Sequence, residues 1–247
     1  MILHPPYAAA GEAAALLRSR GYAVLSPAGV ATLAGCELAQ LAQLAPSWDD
    51  LPPDIYLKDG GRYRRRRHSC FVAEADGLRQ VPHRAHWQPV EYNALHGGMQ
   101  RWFEPMRPEV VATPAWQGLL AGLGRVCSQA KGGQPWSVEA HQFRIDTTDG
   151  IGRPTPEGAH RDGVDVVAVF LVAREGVKGG ETRVFEADGP AGQRFTLTEP
   201  WCLLLLDDER VVHETTPIQP TAPGGHRDTL VLTYRAGGFQ DEAAAGA

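Results

Sequence analysis

The alternation of hydrophobic and polar positions changes character at the glycine pair 132–133. Before it, Ala- and Leu-rich stretches predict helices over 8–20, 27–44 and 114–130, with short strands at 22–25 and 62–72. After it, short apolar or alternating runs separated by Gly, Pro and Asp turns are typical of strands. Those runs are 138–145, 164–173, 181–186, 194–197, 201–206, 211–213 and 229–234. Residues 46–53 predict a loop, and 91–106 a loop with a short helix.

Several short strands at this spacing predict a β-sandwich or barrel. The expected fold class is therefore α+β, with a helical and mixed N-terminal part (1–133) packed on a jelly-roll core (134–236) and a flexible tail (237–247). The first part has no clear core of its own, so the whole chain, 1–247, is expected to form one domain.

Composition and charge narrow the function classes. The 24 Lys and Arg residues against 29 Asp and Glu residues give a net charge of −5, whereas nucleic-acid binding requires a basic surface. The basic run 64–68 does not change this, because a strand places alternate side chains on opposite faces. The acidic run 207–209 predicts solvent-exposed loop charges.

The apolar runs are too short to span a bilayer, and no basic and apolar leader starts the sequence. Four cysteines at positions 36, 70, 127 and 202 form no CxxC pair, which indicates reduced thiols rather than a zinc cluster or a disulfide framework. We therefore expect a cytoplasmic protein with a small-molecule partner and no membrane or nucleic-acid partner. A homodimer is one possible assembly.

Nine histidines are the main source of candidate chemistry. His160 and Asp162 form a His-x-Asp pair, and i and i+2 side chains on an extended backbone point to one side, where both can bind one ion. His213, at the end of a later strand, can supply the third ligand. Two histidines and a carboxylate that leave open positions are the ligand set of non-haem Fe(II) oxygenases. A second pair, His226 and Asp228, has no later histidine to complete it.

The residues around the second pair suggest another role. Arg227 and Thr229 open the last strand, and an arginine with a hydroxyl at i+2 can bind a carboxylate. Gln142 and Arg144 share one face of the strand 138–145; they point either into a polar site or into solvent.

These motifs together resemble the 2-oxoglutarate/Fe(II)-dependent dioxygenases, in particular the bacterial branch of free-amino-acid hydroxylases of the isoleucine-hydroxylase type. The similar stretches are His141-Gln142-Phe143-Arg144, His160-Arg161-Asp162-Gly163, Gly179-Gly180-Glu181, His213-Glu214-Thr215-Thr216-Pro217 and Arg227-Asp228-Thr229-Leu230-Val231-Leu232-Thr233. Shorter similar stretches are Arg62-Tyr63-Arg64-Arg65, Tyr92-Asn93 and Phe103-Glu104-Pro105.

The resemblance implies a double-stranded β-helix, with Fe(II) on His160, Asp162 and His213. It implies that 2-oxoglutarate chelates the metal and that its distal carboxylate meets Arg227, with Thr229 assisting; Gln142 is a further candidate for this cofactor. Oxygen is the cosubstrate, and oxidative decarboxylation to succinate and CO2 drives the oxidation of a nearby C–H bond.

The expected reaction is hydroxylation, or sulfoxidation, of a free L-amino acid or a similar small carboxylate. Strand alternation over 62–67 allows only one set of side chains to face the site. We expect the set with Tyr63 and Arg65, because an aromatic side chain beside an arginine suits a half-buried pocket wall. Arg144 is the alternative anchor for the substrate carboxylate.

Two other functions compete with this one. The chain could be a jelly-roll binding or sensing module without activity, although the complete His160, Asp162 and His213 set and Arg227 argue against it. It could also be a cupin-like metalloenzyme that does not use 2-oxoglutarate.

Overall fold

The structure, a computed structural model, describes residues 3–93 and 95–241. The first half of the chain contains short helices and the first four strands. They are β1 (Tyr7–Ala8), a 3-10 turn (Ala10–Glu12), α1 (Ala13–Arg20), β2 (Tyr22–Leu25), α2 (Pro27–Ala34), α3 (Leu38–Ala42), a 3-10 turn (Ala45–Trp48), β3 (Arg64–Glu74), β4 (Gly77–Gln80), α4 (Pro108–Val111) and α5 (Pro114–Lys131).

Apart from the helical residues Gln240 and Asp241, the regular elements among the described residues of the second half are strands. They are β5 (Trp136–Asp146), β6 (Val166–Glu175), β7 (Val177–Gly179), β8 (Thr182–Glu186), β9 (Gly192–Phe195), β10 (Leu203–Asp207), β11 (Val211–Thr215), β12 (Ile218–Pro220) and β13 (His226–Arg235). The predicted change of character after residues 132–133 is therefore confirmed.

The helix predicted over 27–44 is two helices. Ser26 Oγ accepts a hydrogen bond from the Gly29 N–H at 3.2 Å and caps the start of α2. Gly35 ends α2 with a φ of 65°, in the left-handed region that glycine adopts at least cost. The described residues of 91–106 form turns instead of the short helix expected there.

The main sheet combines strands from both halves of the chain. Its eight strands lie in the order β1-β2-β10-β6-β13-β5-β3-β4, so β2 and β3 from the first half pair with β10 and β5 from the second. The first half is thus part of the sheet rather than only a layer packed on it. A three-stranded sheet, β11-β8-β9, and a two-stranded sheet, β7 with β12, complete the β-structure of the described chain.

The two faces of the main sheet have different neighbours. One face packs on the helices, where Trp116 and Leu120 of α5 share a core with Leu230, Leu232 and other strand residues. The opposite face joins Val184 of β8 and Phe195 of β9 in a second core. A cavity adjoins this second core on the same face of β5, β6 and β13.

None of the described helices is long and apolar enough to span a membrane. The start of the predicted flexible tail is packed: Phe239 and Gln240 are buried, and Asp241 pairs with Arg84 at 2.6 Å. Residues 242–247 of the predicted tail lie outside the described residues.

Candidate functional site

His160, which lies outside the named strands, is joined to His213 of β11 by an isolated antiparallel bridge. The His160 N–H donates to the His213 carbonyl at 3.1 Å, and the His213 N–H donates to the His160 carbonyl at 3.0 Å. Directly opposed residues of an antiparallel pair project their side chains to the same side. The bridge therefore places both imidazoles over one end of the cavity, with ring centroids 4.6 Å apart.

Asp162 completes a group of three. Its Oδ1 lies 3.9 Å from His160 Nε2 and its Oδ2 lies 4.0 Å from His213 Nε2. One ligand atom from each residue lies within 4.8 Å of the other two. Glu157 has an oxygen 3.5 Å from His160 Nε2 but does not belong to this group. Two imidazoles and one carboxylate fit the ligand set of a non-haem Fe(II) centre.

The protonation of the two histidines differs. His160 Nδ1 donates to the Gly158 carbonyl at 3.0 Å, so Nε2 is the nitrogen that a metal would occupy, in place of any proton there. Burial lowers the pKa of His213 to about 4, so the ring is neutral at neutral pH. Burial also disfavours the charged His160, but the carboxylates of Asp162 and Glu157 outweigh it and raise the pKa of this ring.

A buried carboxylate fixes the loop that carries Asp162. Asp208 accepts hydrogen bonds from the backbone N–H groups of residues 162, 163 and 164, at 2.7 to 3.1 Å. Burial and the nearby Asp162 raise the pKa of Asp208 to about 7. The prediction of solvent-exposed charges at 207–209 is wrong for Asp207 and Asp208, which are 4% and 2% exposed.

The segment 86–101 adds two residues that the sequence did not point to, Gln88 and Arg101, and one, Asn93, that stood only in a similar stretch. Its ends are held by paired backbone hydrogen bonds between His86 and Arg101, at 2.9 and 3.0 Å. Gln88 Nε2 donates to Asp162 Oδ1 at 3.2 Å, while its Oε1 accepts from Asn93 and Arg101 at 3.0 Å each. Without hydrophobic periodicity in this segment, the single sequence contains no signal for these contacts.

Arg227 and Thr229 line the cavity from β13, as the i, i+2 pattern predicts. Arg227 is 3% exposed, and its Nη2 has no hydrogen-bond partner among the described residues. Burial, with repulsion from Arg174, lowers the pKa of Arg227 to about 10, so the side chain stays charged at neutral pH. A buried, charged donor without a partner is suited to a ligand carboxylate.

Gln142 and Arg144 lie on the other face of the sheet, so the prediction that they point into the site is wrong. Gln142 Nε2 donates to Ser47 Oγ at 2.7 Å. Arg144 donates to both carboxylate oxygens of Asp228, at 2.8 and 2.7 Å, and its Nη2 also contacts Asp49. The cavity face of β5 carries His141, Phe143 and Ile145 instead.

The face predicted for residues 62–67 is also wrong. Arg64 and Arg66 line the cavity, whereas Tyr63 donates to Asp59 at 2.5 Å and Arg65 pairs with Asp146 at 3.5 Å. The split of alternate arginines onto opposite faces is confirmed. Two arginines can be buried here because distant segments supply their partners, which the local sequence cannot show.

Arg66 is held by one carboxylate and two aromatic rings. Its guanidinium lies 3.8 Å from the Phe103 centroid and 4.4 Å from the Phe143 centroid. Asp54 pairs with Arg64 at 2.7 Å and with Arg66 at 3.9 Å. Burial alone would raise the pKa of Asp54, but the two guanidinium groups outweigh it and lower this pKa.

Comparison with known proteins agrees with this site. The family model described as 2OG-Fe dioxygenase matches residues 45–233. The chain therefore belongs to the 2OG-Fe dioxygenase family, whose members use Fe(II) and 2-oxoglutarate, and it is an enzyme of this type. This assignment excludes the non-catalytic module and the cupin-like enzyme without 2-oxoglutarate.

Solved structures give the same fold. A bsmA homolog from Methylobium petroleophilum PM1 is 54% identical, with a TM-score of 0.91, over 96% of this chain and 97% of that one. IDO from Bacillus thuringiensis is 17% identical, with a TM-score of 0.74, over 97% and 100%. The Fe(II)/α-ketoglutarate-dependent dioxygenase TqaL is 19% identical, with a TM-score of 0.70, over 92% and 86%. No curated protein matches the sequence.

Proposed function

We propose that the cavity is the active site of an oxygenase that oxidises a small carboxylic acid, such as a free L-amino acid. In this proposal His160, Asp162 and His213 hold Fe(II), and Arg227 with Thr229 binds the distal carboxylate of 2-oxoglutarate. The main sheet and the smaller sheets facing it form the double-stranded β-helix of one oxygenase domain. The proposal rests on one observation: the possible metal ligands His160, Asp162 and His213 line the same cavity as Arg227.

When bound, the iron and 2-oxoglutarate supply the oxidising power for a C–H bond. The protein contributes position and charge. The bridge between His160 and His213 sets the spacing of the two imidazoles, and Asp208 and Gln88 hold Asp162 in place. Arg227 neutralises one carboxylate of 2-oxoglutarate in a buried environment, where a charge-assisted hydrogen bond is strong.

The proposed substrate class rests on the arginines of the opposite wall. Arg66 and Arg101 are 3% and 2% exposed, and the Nε atom of each has no hydrogen-bond partner among the described residues. Both residues line the cavity. Unpartnered buried donors are costly unless a ligand satisfies them, and a carboxylate is the group that an arginine binds best. These side chains would hold the substrate's acidic end and leave its aliphatic part near the metal.

The first test concerns the cofactors. Anaerobic addition of Fe(II) and 2-oxoglutarate to the purified protein should produce a weak visible charge-transfer band. Exposure to O2 should then release succinate, and a panel of free L-amino acids should include members that increase this release. Absence of the band and of succinate would contradict the proposed oxygenase.

The second test compares neighbouring arginines. Arg66→Gln should raise the KM for the stimulating amino acid about tenfold or more, since a lost charge-assisted bond costs roughly 1.5–3 kcal/mol. Arg65→Gln is the matched control, because Arg65 lies on the same strand but on the other face and is 42% exposed in its side chain. Equal effects of the two substitutions would rule out Arg66 as the anchor, and stimulation by no amino acid would rule out free L-amino acids as substrates.

A further inference from the structure

A second group of potential metal ligands lies beside the cavity. His68 of β3, His86 of the segment 86–101, and Glu139 and His141 of β5 each place one ligand atom within 4.8 Å of the other three, and all four residues are buried. His86 and His141 also line the cavity. The proposed function gives this group no role. The group is either a second metal site or a set of side chains held by hydrogen bonds.

The proton positions can be worked out from Glu139. Its Oε2 lies 3.0 Å from His68 Nε2 and 2.5 Å from His86 Nδ1. Burial alone would raise the pKa of Glu139, but His86 and His68 outweigh it and hold this pKa well below its usual range. An ionised carboxylate only accepts hydrogen bonds. His68 Nε2 and His86 Nδ1 therefore both carry the proton that they donate.

His86 is consequently a neutral ring with a defined tautomer. Burial lowers its pKa to about 4, so at neutral pH the ring has one proton, on Nδ1. Nε2 then presents a bare lone pair. Because Nδ1 faces Glu139, the edge of the ring with Nε2 is the one available to a molecule in the cavity.

Arg66 argues against a metal in this group. Its Nη2 lies 2.7 Å from His141 Nδ1, and a guanidinium can only donate, so Nδ1 of His141 accepts. The neutral His141 ring must then carry its proton on Nε2, the nitrogen 3.7 Å from Glu139. A protonated nitrogen cannot bind a metal, and a divalent cation here would add positive charge beside the buried Arg66.

We propose that His86 is a substrate-binding residue whose Nε2 accepts a hydrogen bond from an N–H or O–H group next to the substrate's carboxylate. Glu139 is its positioning residue, because it fixes the tautomer that leaves Nε2 bare. The inference rests on the proposed function and adds a second requirement to the substrate, a donor close to the acid group. A 2-amino or 2-hydroxy acid meets the requirement, and an unsubstituted acid does not.

The backbone places this acceptor beside a donor for the acid group. His86 and Arg101 are paired through two backbone hydrogen bonds, and Arg101 offers an unpartnered Nε. The same cavity wall thus presents an arginine for a carboxylate and a neutral imidazole for a neighbouring donor. Sites built to hydrogen-bond a polar group reject the analogue that lacks it, because their own buried group is then left unpaired.

The experiment uses matched sets of acids on the Fe(II)-loaded full-length protein. Each set contains the 2-amino, the 2-hydroxy and the unsubstituted acid with the carbon chain of L-leucine, L-valine or L-methionine, and substrate-stimulated succinate release gives kcat and KM. The wild type should prefer the donor-bearing acids over the unsubstituted acid by about 100-fold or more in kcat/KM. His86→Ala should reduce this preference to within about threefold, mainly through KM.

Two further variants test the position of the His86 ring proton separately from the loss of a side chain. Glu139→Gln should weaken the control of the His86 tautomer, because an amide N–H₂ can donate to Nδ1 whereas a carboxylate can only accept. Long-range ¹H–¹⁵N correlation spectra should then show His86 Nε2 bare in the wild type and at least partly protonated in Glu139→Gln, without reference to activity. His83→Ala is the matched control, since His83 is an exposed histidine of the same region, and it should leave the preference unchanged.

Each contrary result has a distinct meaning. An unchanged preference in His86→Ala, or a protonated His86 Nε2 in the wild type, would overturn the inference while the oxygenase assignment stands. An additional equivalent of bound Zn(II) that both His86→Ala and Glu139→Gln lose would show the metal site instead. If no acid stimulates turnover but substrate-free succinate release persists, the substrate class and this inference both fail. If the wild type releases no succinate even without substrate, the proposed function itself is contradicted.

Discussion

His160 and His213, far apart in sequence, lie directly opposite each other across a two-residue antiparallel bridge, with backbone N···O distances of 3.1 and 3.0 Å. Such a bridge fixes the relative position of two side chains through the backbone, and the two rings lie beside each other as a result. His213 should therefore be indispensable for metal binding. His213→Ala should lose at least about tenfold in Fe(II) affinity, measured anaerobically by equilibrium dialysis.

His226→Ala is the control for that measurement. His226 belongs to the second His-x-Asp pair, with Nε2 3.7 Å from Asp228, and Asp228 is bound by Arg144 away from the cavity. The control should keep the Fe(II) affinity of the wild type. A similar loss in both variants would contradict the choice of His213.

Arg227 should control the dependence on 2-oxoglutarate. Because its guanidinium is buried without a partner for Nη2 among the described residues, Arg227→Ala should raise the KM for 2-oxoglutarate about tenfold or more. Arg235→Ala, at the far end of the same strand, should not change it. Succinate release at varied 2-oxoglutarate concentrations measures both, and an unchanged KM in Arg227→Ala would rule out the assignment.

Gly163 should tolerate no side chain. Its φ is +76°, and an added Cβ would lie 2.4 Å from Cδ2 of Tyr92. Gly163→Ala should therefore lower the free energy of unfolding by about 1–3 kcal/mol and weaken Fe(II) binding, since it displaces the loop that carries Asp162.

Gly150→Ala separates the effect of backbone strain from the effect of the steric clash with Tyr92. Gly150 has a φ of +84° but nothing within 4 Å of an added Cβ. Gly150→Ala should therefore lower the free energy of unfolding only through backbone strain, by about 1–2 kcal/mol, and should leave the Fe(II) affinity unchanged. Denaturant unfolding and Fe(II) dialysis of both variants provide the comparison. Normal Fe(II) affinity in Gly163→Ala would show that the loop does not need this geometry.

The buried histidines should make stability depend on pH. Burial lowers the pKa of His86 to about 4, below the value of about 6.5 in the unfolded chain. Between these values the unfolded state binds more protons than the folded state, so the free energy of unfolding should fall as the pH falls from about 6.5 to about 4. The shift at His86 corresponds to roughly 3 kcal/mol.

Denaturant unfolding at several pH values checks this expectation. His86→Gln removes the titrating ring and should make the dependence shallower over the same window. Burial also lowers the pKa values of His68 and His141, so part of the dependence should remain. Asp208 acts in the opposite direction over this window, because its raised pKa of about 7 makes the folded state bind the extra proton. An equal pH dependence in the wild type and in His86→Gln would therefore contradict the assigned neutral ring of His86.

The features predicted correctly from the sequence are those that depend on the local pattern of residues. Strand alternation correctly placed Arg227 and Thr229 on one face, and the order of His160, Asp162 and His213 correctly suggested that they meet. The sequence of a strand alone could not show which of its two faces points into the cavity, because that depends on partners from distant segments. Arg66 can face the cavity because Asp54, Phe103 and Phe143 surround it, and Arg144 can face outward because Asp228 and Asp49 bind it.

The role of Asp208 could not be predicted for a related reason. An acidic run between two strands is typical of solvent-exposed loops. In the structure its carboxylate instead accepts three backbone N–H groups of a loop that lies far away in sequence. Only the folded chain reveals such partners.

The alternation of arginines in β3 has a consequence for how this enzyme can change. Arg64 and Arg66 line the ligand cavity, whereas the side chains of Arg65 and Arg67 project to the other face of the strand. Substrate preference can therefore be altered at positions 64 and 66 by substitution while the other face keeps its contacts. Insertion or deletion of a single residue within the strand would instead exchange the two sets of side chains. Laboratory evolution of this wall should accordingly accept point substitutions and reject length changes.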